Sequence, residues 1–172
     1  MIEEKTVSTK EKRKLPVVLA ILGIVVIGLM IIISGVNKSM CANVKSMLVG
    51  KTLSGTYTYT GTLTFNGAKT YSIRDTYTIE IVDDTKCNIT VHYSTDSSVS
   101  SVEDRDETIV YKDVPYTVSG GIAGITFKWD DGNDFLGLAN GQEPFTVDTS
   151  KGSIVMLCKE FMAGNSLWLY ER

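Results

Sequence analysis

The sequence predicts an all-β barrel or sandwich carried behind one transmembrane helix. Two patterns point there. From Leu15 to Ile33 the chain reads LPVVLAILGIVVIGLMIII, nineteen residues with no charged side chain. From Thr52 onward the polarity alternates with period two, as strands with one buried face require.

The apolar run comes first. At about 1.5 Å per residue it makes roughly 30 Å of helix, the thickness of a bilayer's hydrocarbon core. Fourteen of its residues are Leu, Ile or Val, which favours insertion by roughly 4 to 8 kcal/mol. No polar stripe is left to face water, which argues against a core helix of a soluble protein. A cleaved signal peptide has a shorter apolar region followed by a small-x-small site. The exit Ser34-Gly35-Val36-Asn37-Lys38 offers none, and Lys38 stands where lipidation of Cys41 needs a Leu-like residue. Lys5, Lys10, Lys12, Arg13 and Lys14 precede the run, whereas Lys38, Lys45 and Lys51 follow it more thinly. By the positive-inside rule the N-terminus is cytoplasmic and the C-terminus extracellular.

The expected organisation is a cytoplasmic tail over residues 1–14, a transmembrane helix over 15–35, a short helical stalk over 36–50 and an extracytoplasmic β domain over 51–172. In the stalk, Val36, Met40, Val44 and Met47 or Leu48 recur at helical spacing, and Gly50 ends the pattern. It either continues the membrane helix or lies across the mouth of the domain.

Charge and cysteine content narrow the function. The net charge is −3, and because the first fourteen residues carry +2 the remainder carries −5. An acidic domain without a basic patch argues against nucleic acid and anionic lipid as partners. Cys41, Cys87 and Cys158 are too few for a disulfide scaffold. Cys87 and Cys158 either bridge or remain as free buried thiols. With one histidine and no CxxC spacing, no zinc site is expected, nor any cofactor.

The strands follow in order. Leu53, Gly55, Tyr57, Tyr59, Gly61, Leu63 and Phe65 form an inner set against a carpet of threonines at the even positions. So long a strand must curl, and Gly55 and Gly61 permit it. After a turn at Asn66-Gly67-Ala68-Lys69, the residues Tyr71, Ile73, Tyr77, Ile79 and Ile81 continue the inner series. Asp75 interrupts it, most simply as a bulge or a break between two strands, more sharply as a carboxylate inside a cavity. Asp83-Asp84 turns the chain into Cys87, Ile89, Val91 and Tyr93. Residues 95–107 lose periodicity and read as an exposed loop. Short strands are expected near 108–111, 116–118, 125–129, 145–148, 153–159 and 167–170, with an irregular stretch over 130–144. That makes about eight or nine strands and no convincing helix among them.

Leu53-Ser54-Gly55-Thr56-Tyr57, with Leu63-Thr64-Phe65-Asn66-Gly67 and Thr70-Tyr71, resembles the first two strands of small bacterial lipocalin-like (calycin-type) domains. Leu167 to Arg172 is similar to their last strand, whose arginine packs over a tryptophan of the first; here Tyr57 takes the tryptophan's place. The resemblance covers residues 48–172. It implies an eight-stranded antiparallel up-and-down barrel, often with an interior site for a small apolar molecule.

No catalytic constellation emerges. His92 shares the outward parity of Asn88 and Thr90 and cannot form a dyad with Cys87 within one strand. Asp130, Asp131, Asn133 and Asp134 lack the spacing of a calcium loop, because Gly132 comes too early. The inner tyrosines Tyr57, Tyr59, Tyr71, Tyr77 and Tyr93 need partners for their hydroxyls, so they either line a semi-polar cavity or sit at the barrel ends with hydroxyls in water. With Phe65, Phe127 and Trp129 they are the expected ligand-lining residues. The expectation is a non-enzymatic, membrane-tethered binding module for a small apolar or amphipathic molecule. The alternative is a structural or adhesion β-sandwich that binds protein or glycan.

Overall fold

The computed structural model describes residues 9–64, 69–97, 104–130, 144–162 and 164–172. One helix, α1 (Thr9–Leu48), leads into β1 (Thr52–Leu63), β2 (Lys69–Ile81), β3 (Lys86–Ser97), β4 (Arg105–Gly121), β5 (Gly124–Trp129), β6 (Phe145–Asp148), β7 (Val155–Met162) and β8 (Asn165–Glu171). Each strand pairs antiparallel with the next and β8 returns to β1, so the sheet is a closed eight-stranded up-and-down barrel. A sandwich would leave free edges at β1 and β8; here they are hydrogen-bonded to each other.

The alternation of the sequence explains the wall. Leu53, Tyr57, Tyr77, Ile79, Ile81, Cys87, Ile89 and Val91 are buried inside. The threonines lie outside and link neighbouring strands, with Ser54 Oγ and Thr78 Oγ1 at 3.2 Å and Thr56 Oγ1 and Thr76 Oγ1 at 3.1 Å. Cross-strand hydroxyl pairs of this kind reinforce the ladder. Gly55 lies where β8 crosses closest, since a Cβ there would collide with the Trp168 carbonyl.

The β1–β8 seam has only the pairs Leu53↔Glu171 and Ser54↔Tyr170. It is closed by side chains: Lys51 pairs with the Glu171 carboxylate, whose other oxygen accepts the Ile154 N–H at 3.0 Å. The Lys51 ammonium and that N–H hold the Glu171 carboxyl below its ordinary pKa. The arginine clamp implied by the resemblance is not what closes this barrel. Arg172 is exposed and bonds Thr52 through its backbone N–H, while Tyr57 packs against Phe161 at 6.0 Å.

Three strand expectations are corrected. The segments 108–111 and 116–118 belong to one strand, β4, bent at Asp113, which has φ 55°. The extra residue there, facing a register shift between Cys87 and Ile89 on β3, switches the inward set from Tyr111 to Val114 and Tyr116. Parts of the expected 95–107 loop are strand, with Thr95↔Arg105 and Ser94↔Asp106 paired. Ladder hydrogen bonds continue past the apolar core because they need no apolar side chain. Asp75 is neither bulge nor break: it lies in continuous β2, opposite Tyr57, with its side chain buried. The turn expected at 66–69 and the irregular stretch over 130–144 fall almost wholly outside the described residues.

α1 runs unbroken for 40 residues, about 60 Å. Its segment from Val17 is long and apolar enough to cross a membrane, and none of its most apolar window is buried. Beyond it the helix becomes part of the barrel. Val44 and Leu48 are buried in the same cluster as the barrel interior. Asn37 Oδ1 accepts the Ile122 N–H at 3.1 Å at the β4–β5 turn, and Gly121 leaves room for that asparagine. Lys45 Nζ lies 5.8 Å from the Tyr116 ring centroid. Gly50, at φ 75°, then ends the helix, and its N–H bonds the Ile81 carbonyl at the foot of β2. The last turns of α1 thus cover the end of the barrel at which β1 begins. We call this end proximal; β1, β3, β5 and β7 end, and β2, β4, β6 and β8 begin, toward the other, distal end, as an up-and-down order requires.

Candidate functional site

The interior divides into two zones of different chemistry. The proximal half is filled. Phe127 stacks on Tyr116 at 5.0 Å and meets Phe145 edge-on at 6.4 Å, with Val114, Met156, Leu167 and Leu169 buried around them. The Tyr116 hydroxyl leaves the core by donating to the Asp83 carbonyl at 2.7 Å, and partial burial pushes its pKa up to about 12. Cys87 and Cys158 are free thiols in this zone; burial raises Cys87 to about 12. A low-pKa nucleophile it is not.

Phe161 marks the boundary. A register shift between Cys158 and Met162 turns it inward, where its ring meets Tyr57, Tyr77, Trp129 and Phe145 at 4.9 to 6.4 Å. It forms the floor of the distal zone.

Above that floor the inward positions become polar and aromatic. Tyr57 and Asp75 face each other across β1 and β2. Asp75 is 5% exposed, and the one described hydrogen bond to its carboxylate is from the Ser94 N–H at 3.4 Å. Desolvation raises its pKa, opposed by that N–H and by the charges of Arg105 and His92. Two residues on, Tyr77 is fully buried, and its hydroxyl has no hydrogen-bond partner among the described residues. Burial first, and the Asp75 charge second, raise its pKa strongly. Tyr93 is half-buried; desolvation and a hydrogen bond with Tyr111 push it up to about 12. Higher still, Tyr59 and Tyr71 lie 5.9 Å apart, and their hydrogen bond raises Tyr71. A Cβ on Gly61 would strike the Tyr71 ring, so that glycine keeps the ring's place open.

Arg105 completes the rim. Its guanidinium lies 4.0 Å from the centre of the Tyr93 ring, and its Nε and Nη2 both donate to Glu107 Oε2, at 2.9 and 2.8 Å. The distal zone therefore accommodates a cation on an aromatic face.

Of the eight residues expected to line a ligand, the structure brings Tyr57, Tyr59, Tyr71, Tyr77 and Tyr93 into this zone. Trp129 reaches it through its edge contact with Phe161 at 6.4 Å. Phe127 is in the filled core, and Phe65 lies outside the described residues. Arg105 and Glu107 were missed because their part of β4 was read as a loop, and Tyr111, inside the expected 108–111 strand, was not singled out; the alternation 105, 107, 109, 111 was the available signal. His92 is exposed on the outer wall, with Nδ1 3.1 Å from Thr108 Oγ1 and Nε2 3.5 Å from Asp106. No group of His, Cys, Asp or Glu suited to a metal occurs among the described residues, and Asp131, Asn133 and Asp134 lie outside them.

No protein family, curated protein or solved structure matches this chain.

A second feature lies on the outer wall. Trp168 and Tyr170, both exposed, stack at 6.3 Å over a groove lined by Val155, Leu157, Lys151 and Lys159.

Proposed function

We propose that this chain is a single-pass membrane protein whose extracellular barrel is a non-catalytic, lipocalin-like binding module for a small apolar or amphipathic molecule. The observation that carries the reading is the buried Tyr77 hydroxyl, without a partner among the described residues, two positions from the buried Asp75 in a tyrosine-lined zone. Sealing a polar group away from water without a partner is costly, and a bound molecule removes that cost. The exposed apolar helix supports the anchor, and the lysines before it support an inside N-terminus.

Native mass spectrometry of the full chain, purified from cells in mild detergent, tests the proposal. The expected result is an excess mass of a few hundred daltons that disappears on denaturation. Tyr57→Ala should reduce its occupancy while the barrel remains folded. A bare mass from several independent preparations would count against the reading.

A second reading is supported by the outer groove. Stacked exposed aromatics beside lysines suit a glycan, as in an envelope adhesion module. Trp168→Ala would then abolish co-sedimentation with cell-wall glycan and leave the interior ligand unchanged.

A further inference from the structure

We propose that the molecule held in the distal zone is an organic cation, a protonated primary or secondary amine on an apolar body, with Asp75 as its counter-ion. The inference rests on the binding-module reading above and specifies the ligand's chemistry.

A buried carboxylate is ordinarily paired with a cation or held by several donors. Asp75 has one long hydrogen bond from Ser94, and among the described residues no Lys, Arg or His nitrogen lies within ion-pair distance of it. Arg105, the nearest candidate on β4, is already committed to Glu107 through two nitrogens. The site thus holds an anion for which the described residues supply no paired cation.

The second observation is the Tyr77 hydroxyl, buried and unpartnered two residues along the same inner face. Inward residues at i and i+2 stand about 6 to 7 Å apart along a strand. The Tyr77 hydroxyl has no free surface of its own, so an ammonium that donates one N–H to the carboxylate reaches the phenolic oxygen with a second as the ring turns toward it. A carboxylic acid or phosphate would instead face the Asp75 charge.

The third is the surrounding rings. Tyr57 on β1 and Tyr93 on β3 flank Asp75, and aromatic faces attract cations. Arg105 on Tyr93 shows that this wall already takes one. The apolar floor at Phe161 would receive the ligand's hydrocarbon portion.

The pH dependence follows. The titratable groups facing Asp75 are Tyr57 on β1, Tyr77 on its own strand, Tyr93 on β3, and Arg105 and Tyr111 on β4, with His92 behind the wall. Burial pushes Tyr77 and Tyr93 up and Glu107 holds Arg105 up, so affinity should fall on acidification chiefly as Asp75 takes up a proton. Desolvation moves that uptake to higher pH than for an exposed aspartate.

The test uses the full chain in phosphatidylcholine nanodiscs, titrated calorimetrically with two matched pairs of probes: phenethylamine against 2-phenylethanol, and hexylamine against 1-hexanol. The amines should bind at least 10-fold more tightly than the alcohols. Asp75→Asn should erase that preference while alcohol binding persists, and Tyr77→Phe, which keeps the ring, should weaken the amines several-fold. Equal affinities, or a preference unchanged by Asp75→Asn with the variant folded by near-ultraviolet circular dichroism, would overturn the cation and leave the binding module standing. Failure of all four probes together with a bare native mass would overturn both.

Discussion

Leu48 offers the most direct test of how helix and barrel are joined. It is fully buried although it belongs to the helix that carries the apolar span. Leu48→Ala removes three carbon groups, worth about 2.4 kcal/mol at roughly 0.8 kcal/mol each. Partial collapse around the remaining cavity brings the expected cost to about 3 kcal/mol, within the range seen for buried leucines. For a domain of roughly 120 residues, 1 kcal/mol corresponds to about 4 °C, so Tm should fall by about 12 °C. The assay is thermal unfolding of the full chain in nanodiscs, followed by near-ultraviolet circular dichroism of the packed tyrosines and tryptophans. Met47→Ala is the control, since that neighbour is 39% exposed and should shift Tm by no more than about 2 °C. If Leu48→Ala moved Tm no further than Met47→Ala, α1 would be a tether only, and the argument that it closes the proximal end would fail.

Other perturbations probe the seam, the site and the thiols. Gly55→Ala places a methyl group against the β8 main chain at Trp168 and should cost about 3 kcal/mol by thermal unfolding; a neutral effect would mean that β1 and β8 do not pair there. Asp75 has a raised pKa in the fold, so the native state binds the extra proton between the ordinary value of 3.8 and that raised value, and stability falls as pH rises through this window. Asp75→Asn should therefore be more stable than the parent at neutral pH, with the difference vanishing below the ordinary value; denaturant titrations at several pH values would read it. Glu171 behaves oppositely: its lowered pKa contributes stability above its ordinary value of 4.5 that is lost as pH falls. Glu171→Gln should flatten that acid limb, and an unchanged limb would show that the Lys51 and Ile154 contacts do not form in solution. Under native conditions alkylation should spare Cys87 and Cys158, and both should label on unfolding without reductant; persistent protection of both would indicate a bridge.

The barrel was readable in the sequence wherever one face had to be apolar. The alternation over Leu53–Gly61 and Tyr71–Ile81 placed the inner residues because a one-residue slip would turn every side chain to the other face; Leu63, expected in the same set, is exposed at the end of β1. It failed where burial stopped being apolar. Thr95, Ser97, Arg105 and Glu107 continue the ladder at the distal rim, yet their polar side chains look like a loop. The switch of inward parity at Asp113 hid the unity of β4, since a left-handed aspartate has no strong one-residue signature. Asp75 was visible as an oddity, but whether a charged inner residue bends its strand or sits in a polar cavity depends on Ser94, Tyr93 and Arg105, which are distant in sequence. The tyrosines could be assigned to the interior but not to its halves. That division comes from Phe161, whose inward turn depends on the register shift in β7.

The seating of Leu48 and Val44 over the proximal end has a kinetic meaning. Opening that end means drawing Leu48 and Val44 out of the core together, so its fluctuations are tied to the unseating of the last turns of α1 rather than to local fraying.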